Sequence, residues 1–414
     1  MPAGPRPGGI GWSRTKDRTG NMRIGIAFLV ASYVLSQFFR SFLAVMSPVL
    51  SAETGSSPSD LAVSSGLWFL AFALAQIPVG AALDLIGPRR TVSVVLALGG
   101  GGGAMLFALA EGPATIHLAM VLIGIGCSPV MVTAYFIFAR IYPPKVFGAL
   151  GGATIAIGSL GNMAGAAPLA WTIDAFGWRE TLWALAGITF IVAIALAVFI
   201  RDPARVTAPT RQRAPMWELL SIRPLWPILP MMAVTAAPAP LILGLWAGPY
   251  LHEVFGADAA GIGGVTLFMG LAMVLGNFAY GYLDRLARST KTVVLAGGLA
   301  MAVALALLAL WPAAGLVPAT VLLIAVGLFG SAYPAIMAHG RAFLPQHLLG
   351  RGVSFINMFG MGGAALLQFA SRPVYRATEG SGDPAATFSA IFLFFLLPML
   401  PAMALYLFSR DAHA

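Results

Sequence analysis

Long apolar runs alternate with short polar connections along the whole chain. A helix crossing roughly 30 Å of hydrocarbon needs about 20 apolar residues. Twelve runs meet that length, at 24–50, 61–83, 91–110, 116–142, 147–173, 181–200, 224–251, 261–283, 292–311, 316–343, 353–371 and 386–408. None shows the ten-residue segments of alternating hydrophobicity that a membrane β-barrel requires. The pattern predicts an all-α membrane protein with 12 transmembrane helices. The first run is too long for a signal-peptide core and has no evident cleavage site, so it reads as a retained helix.

The polar remainder divides the chain. Residues 1–21 are rich in Gly, Pro and Arg and read as a disordered cytoplasmic tail, with Met22 as an alternative start. Residues 201–223 are basic, carry Pro203, Pro209 and Pro215, and form the longest polar connection. They separate two six-helix bundles, 22–200 and 224–410. The bundles repeat each other at an offset of about 200 residues. Pro48 matches Pro249, Asp84 matches Asp284, and Arg140 and Pro144 match Arg341 and Pro345. Because six is even, both copies run in the same orientation. Two six-helix repeats in parallel orientation are one of the known transporter plans.

Composition excludes the soluble classes. Hydrophobic residues make up 59 % of the 414 and charged residues 9 %, against roughly 45–50 % and 25 % in soluble domains. The net charge of +9 would suggest a nucleic-acid partner in a soluble protein. Here topology absorbs it. Twenty of the 24 Lys and Arg lie in the N-terminal tail, the even-to-odd connections or the C-terminus. Only Arg179, Arg372 and Arg376 lie on the opposite side. The positive-inside rule then places both termini in the cytoplasm of an inner-membrane protein. The single cysteine, Cys127, leaves no disulfide within the chain and no Cys-based metal cluster. No cofactor, metal or nucleic acid is expected, and the chain reads as a monomer in the bilayer.

The connection after the second run reads GAALDLIGPRR at 80–90. It resembles the major facilitator superfamily motif G-x-L-x-D-R-x-G-R-R/K. Gly80, Asp84, Gly87 and Arg89 match, while Leu85 and Pro88 depart from it. A degenerate copy ends in Asp284-Arg285. The resemblance implies the superfamily fold and a cytoplasmic latch. In that latch Asp84 would join Arg89, Arg90 and Arg140, with Asp284 and Arg341 as the second copy. The plainer alternative is loop charge that sets topology.

The same resemblance implies that spans 1, 4, 7 and 10 line a central cavity. Arg40 lies roughly 24 Å along span 1 from Ile24, and an arginine deep in a span is costly, about 2.5–3.5 kcal/mol on insertion scales. Tyr33, Gln37 and Arg40 are spaced i, i+4, i+7 and share one helix face. A guanidinium can donate two parallel bonds to a carboxylate or phosphate, so the stripe suits an anionic ligand. The repeat counterpart of Arg40 is Leu241, so the fold itself does not require the charge. The alternative is a snorkelled or structural arginine. The segment from Gln37 to Pro48 also resembles the first helix of organophosphate:phosphate antiporters and sialin/hexuronate-type anion transporters. That resemblance implies that Arg40 contacts an anionic group. Span 7 lacks the second arginine of the antiporters. Trp246, Tyr333 and Gln368 are further cavity candidates.

The remaining signals are read as structural. Arg341 mirrors Arg140 before a proline. His339 reads as a capping or packing residue, the glycines at 99–103 as close helix contacts, and Met269 and Met273 as core. The acidic residues all lie near span ends, in loops or in tails, which weakens proton symport. No nucleotide-binding, nucleophile–base or metal constellation is visible, so the chain is not an enzyme. The reading is a secondary or facilitative transporter of a small solute, an organic anion, working by alternating access. The alternatives are an efflux or vitamin/siderophore carrier with an apolar cavity, and a transporter-like membrane sensor.

Overall fold

A computed structural model describes residues 11–142, 144–202, 216–287, 289–345, 349–380 and 382–411. The described residues are helical with short connections. Span 1 comprises helices Gly11–Ser41 and Leu43–Thr54, span 2 Pro58–Leu85, and span 3 Pro88–Val95, the π-turn Leu96–Gly101 and Gly102–Ala108. Span 4 is Pro113–Ile141, span 5 is Pro144–Ala164 with Ala167–Phe176, and span 6 is Trp178–Phe199. Span 7 is broken into Ile228–Thr235, Pro238–Leu241, the π-turn Ile242–Trp246 and Ala247–Phe255. Spans 8 and 9 are Ala259–Ala287 and Thr290–Leu310. Span 10 is Leu316–Phe329 with Tyr333–Ala342, span 11 is Leu349–Glu379, and span 12 is Pro384–Leu396 with Met399–Tyr406.

Local chemistry sets many of these ends. Pro58, Pro88, Pro113 and Pro384 stand in the first turns of their helices, where the missing N–H costs nothing. Ser57 and Asp60 close a capping box on span 2. Spans 1 and 7 both end on a left-handed glycine, Gly55 at φ 66° and Gly256 at φ 68°. That pair sits at the repeat offset and strengthens it. Prolines also account for breaks. Pro168 starts the second helix of span 5, and Pro238 and Pro240 interrupt span 7.

The first helix begins at Gly11, ahead of the apolar run at 24–50. No proline lies between Pro7 and Pro48 to stop the helix. Span 1 runs on through Phe42, whose backbone is helical and whose N–H and carbonyl keep the bonds to Phe38 and Met46. Ten stretches among the described residues are long and apolar enough to cross a membrane. The other two expected spans are the broken span 5 and span 11, a 31-residue helix carrying Arg372, Arg376 and other polar residues. Residues 1–10 and 203–215 of the expected tail and linker lie outside the described residues.

Packing repeats with the sequence. Span 2 packs on span 4 as span 8 packs on span 10, span 1 on span 5 as span 7 on span 11, and span 3 on span 6 as span 9 on span 12. The two groups meet along spans 2 and 11, 5 and 8, and 1 and 7. Exposed Leu74, Ile77, Leu98, Ile191, Leu275 and Leu366 cover the outside, as a lipid-facing surface requires.

The glycines at 99–103 do pack helices together. A Cβ on Gly99 would lie 2.5 Å from the Gly126 nitrogen, and one on Gly126 would lie 2.0 Å from the Gly100 nitrogen. Spans 3 and 4 touch backbone to backbone there, as small residues allow in lipid. Gly126→Val is expected to cost roughly 3 kcal/mol or more, since neither backbone can yield. A fall in the detergent thermal midpoint with loss of monodisperse protein checks it.

Candidate functional site

Span 1 places Tyr33, Gln37 and Arg40 on one half-buried stripe, while Ser36, Phe38 and Phe39 between them are buried. Arg40 stands in the last turn of the helix Gly11–Ser41. Its guanidinium carbon lies 5.2 Å from the centre of the Phe69 ring on span 2. A cation over an aromatic face is worth about 0.5–2 kcal/mol, more when water is excluded. No carboxylate pairs with Arg40 among the described residues, and its Nε is buried without a hydrogen-bond partner. Phe69 therefore supports the guanidinium without neutralising it.

Two phenols stand near this charge, with a third beyond them. Tyr33 and Tyr333 lie within electrostatic range of Arg40, and Tyr135 within range of Tyr33 and Tyr333. They come from spans 1, 4 and 10, so both groups of spans contribute. Tyr333 donates to Oδ1 of Asn357 on span 11 at 2.5 Å, which fixes its ring. The helix of span 10 restarts at Tyr333 after the interruption at Gly330–Ala332, which sets that tyrosine at a helix N-terminus inside the protein.

The structure thus brings Tyr33, Arg40 and Tyr333 together, with Gln37 on the same stripe. Neither Trp246 nor Gln368 makes a side-chain hydrogen bond to Arg40. Trp246 is fully buried and packs on Tyr375, ring centres 5.4 Å apart, with its indole N–H unpartnered. Gln368 is fully buried with both amide atoms unpartnered. Phe69 carried no sequence signal, because an aromatic in an apolar run looks the same whether it faces lipid or a cation.

Where spans 1 and 7 cross, backbone meets backbone. A Cβ on Gly244, inside the π-turn, would lie 2.8 Å from the Arg40 carbonyl oxygen. One on Gly248 would lie 1.9 Å from the Ala44 carbonyl oxygen. This crossing seals one end of the site, on the face away from the start of span 1. Arg372 and Arg376 on span 11 reach Asp60 on span 2 at 3.5 and 3.6 Å, and Arg376 Nε donates to Ser59 at 3.1 Å. These residues tie the two groups together by side-chain hydrogen bonds and ion pairs at the distal end. The distal face is closed.

These pairs are partly exposed, Arg376 to 51 % and Asp60 to 18 %, so each is worth at most about 1 kcal/mol. Arg376→Gln is expected to raise the distal-open population roughly two- to fivefold, an effect of that size. The check is maleimide reactivity of a cysteine at the distal end of span 2; an unchanged reactivity would refute the strap.

The motif at 80–90 works through partners the sequence did not signal. Gly87, at φ 103°, lets the chain pass within contact of the Asp202 carboxylate. Asp202 Oδ1 accepts the Arg89 backbone N–H at 2.8 Å, and Arg89 Nε donates to the Ala197 carbonyl oxygen. The connection is tied to the end of span 6. Gly80 faces open space and Arg90 is exposed. The Asp84 and Asp284 side chains lie outside the described residues. Arg140 sits 4.0 Å over the Phe136 ring, and Arg341 is exposed.

His339 has the packing role expected of it. Its Nε2 donates to the Arg410 carbonyl oxygen at 2.8 Å, and its Nδ1 meets the Tyr406 hydroxyl. No group of three or more His, Cys, Asp or Glu could hold a metal among the described residues.

Comparison with known proteins gives a consistent picture. The family model described as Major Facilitator Superfamily matches residues 29–367. A probable sulfoacetate transporter of Cupriavidus necator is 26 % identical over 308 residues, 70 % of each chain. An uncharacterized MFS-type transporter of Mycobacterium tuberculosis is 25 % identical over 56 % of this chain and 31 % of its own. Among solved structures, a D-xylose–proton symporter superposes with a TM-score of 0.76 at 13 % identity, covering 94 % of this chain and 98 % of its own. A bacterial homolog of the human lysosomal transporter Spinster, inward-facing and unoccupied, gives 0.68 at 17 % over 94 % and 95 %.

Proposed function

The chain belongs to the Major Facilitator Superfamily, and on that premise we propose that it moves a small organic anion across the inner membrane by alternating access. It is a multi-pass membrane transporter of a small molecule and not an enzyme. The observation that carries the finer reading is Arg40, a guanidinium in a membrane span with no ionic partner among the described residues. An arginine so placed is uncompensated until an anion arrives. Arg40 is the anchor, Tyr33 and Tyr333 offer hydroxyls beside it, and Gln37 extends the polar stripe. The likeness to a probable sulfoacetate transporter supports a sulfonate or carboxylate as the charged end. With basic residues marking the cytoplasm, the closed distal face is the outer one.

The test is flux in proteoliposomes. Labelled sulfoacetate, small mono- and dicarboxylates and phosphate esters are compared with a neutral sugar. At least one small anion is expected to exchange across the membrane and to be competed by other anions. Flux confined to neutral or cationic solutes, indifferent to added anions, would overturn the reading.

A further inference from the structure

Glu253 stands apart from the other carboxylates. It is half-buried in the last helix of span 7, Ala247–Phe255, at the distal end. Asp60, also half-buried, faces two arginines. Glu253 has no basic ion-pair partner among the described residues. What holds it is the Tyr375 hydroxyl of span 11, 2.8 Å from Oε1 and 3.0 Å from Oε2. The charged groups acting on it are His252 on its own helix and Glu379 on span 11. His252 is exposed and its Nδ1 is engaged with the Ala257 carbonyl. None of these charged groups comes from spans 1, 8, 10 or 12, which also pack on this helix.

The tyrosine is placed to report on Glu253. Tyr375 is itself buried, and its ring packs on Trp246 in the turn that follows Gly244. The same turn of span 11 carries Arg372 and Arg376, which reach across to Asp60 and Ser59. The element that holds Glu253 is thus the element that closes the distal face. A half-buried carboxylate without a cation pays for its charge when water is squeezed out. Protonation removes that cost, so closure and proton uptake favour each other.

Resting on the transport reading above, we propose that Glu253 and Tyr375 form a proton-binding site that governs closure of the distal face. A proton from water on the distal side adds to a carboxylate oxygen of Glu253 as the face closes. It returns to the same side as the face opens. The site lies at the distal end of its span, so the proton is not carried across with the substrate. External pH sets the gate; it does not drive the flux.

The test uses the full chain in lipid nanodiscs without substrate. Spin labels go on Ala52→Cys and Ala377→Cys, exposed positions at the distal ends of spans 1 and 11. Distances are measured across a pH series. In the wild-type background the closed-to-open ratio is expected to fall with rising pH, by at most about tenfold per unit, the limiting slope for one linked proton. Glu253→Gln, a permanent mimic of the protonated acid, should stay closed at every pH. Tyr375→Phe keeps the acid but removes the bond that favours its charged form, so its midpoint should move to higher pH. A Glu253→Gln protein with the wild-type pH response, or a wild type with none, would overturn the site. Absence of anion flux with the pH response intact would instead overturn the transport reading alone.

Discussion

Arg40→Ala is expected to abolish transport of the anion, lowering kcat/KM by roughly a hundredfold or more, while the protein still folds. Losing one partner of a desolvated charge pair costs about 2–5 kcal/mol, and tenfold in rate corresponds to about 1.4 kcal/mol. Folding survives because Arg40 has no carboxylate to leave stranded; its support is the Phe69 ring. Removing an unpaired buried charge does not destabilise a span. Arg40→Lys should keep part of the activity, since an ammonium supplies the charge without the paired donors of a guanidinium. Uptake kinetics together with the thermal midpoint of each variant check this. Wild-type uptake in Arg40→Ala would remove the arginine from the site.

Gly248→Val is expected to arrest the cycle with the distal face open. The added Cβ would lie 1.9 Å from the Ala44 carbonyl oxygen and 2.9 Å from the Ser47 hydroxyl. Both atoms belong to span 1, and the nearer one is backbone that cannot rotate aside. Overpacking of this kind costs roughly 3 kcal/mol, enough to invert a modest preference for closure by about a hundredfold. Each group of spans packs within itself without this contact, so insertion and folding should be kept. Steady-state transport should fall steeply, and a cysteine at the distal end of span 11 should react with membrane-impermeant maleimide faster than in wild type. Normal transport with normal reactivity would show that spans 1 and 7 need not touch at Gly248.

The long-range architecture was legible because bilayer thickness imposes a length on every span, and because punctuation residues are conspicuous. Pro48 and Pro249, Arg140 and Arg341 revealed the repeat, and the packing of span 2 on 4 and 8 on 10 follows it. Arg40 was legible because a charge in a span is expensive. Breaks within spans were less so. Pro168 marked one, at the start of the second helix of span 5.

Contacts between distant spans were not legible. Asp202 reads as an ordinary loop acid, yet it caps the Arg89 backbone across 113 residues of chain. Glu253 lies two residues beyond the predicted end of span 7 and looked like a surface charge. Only the arrival of Tyr375 from span 11 sets it apart. Trp246 and Gln368 were chosen for polarity in a span, and the structure buries both without a hydrogen-bond partner. Polarity alone does not tell a helix–helix contact from a cavity wall.

The most direct measurement is a thermodynamic cycle on binding. The transported anion and its neutral amide are each titrated into wild type and Arg40→Ala in detergent. The account predicts that wild type prefers the anion by roughly 30-fold or more, a coupling of about 2 kcal/mol or more. In Arg40→Ala that preference should vanish, with both ligands bound weakly and alike. An undiminished preference for the anion in Arg40→Ala would contradict it, because the charge would then be read elsewhere.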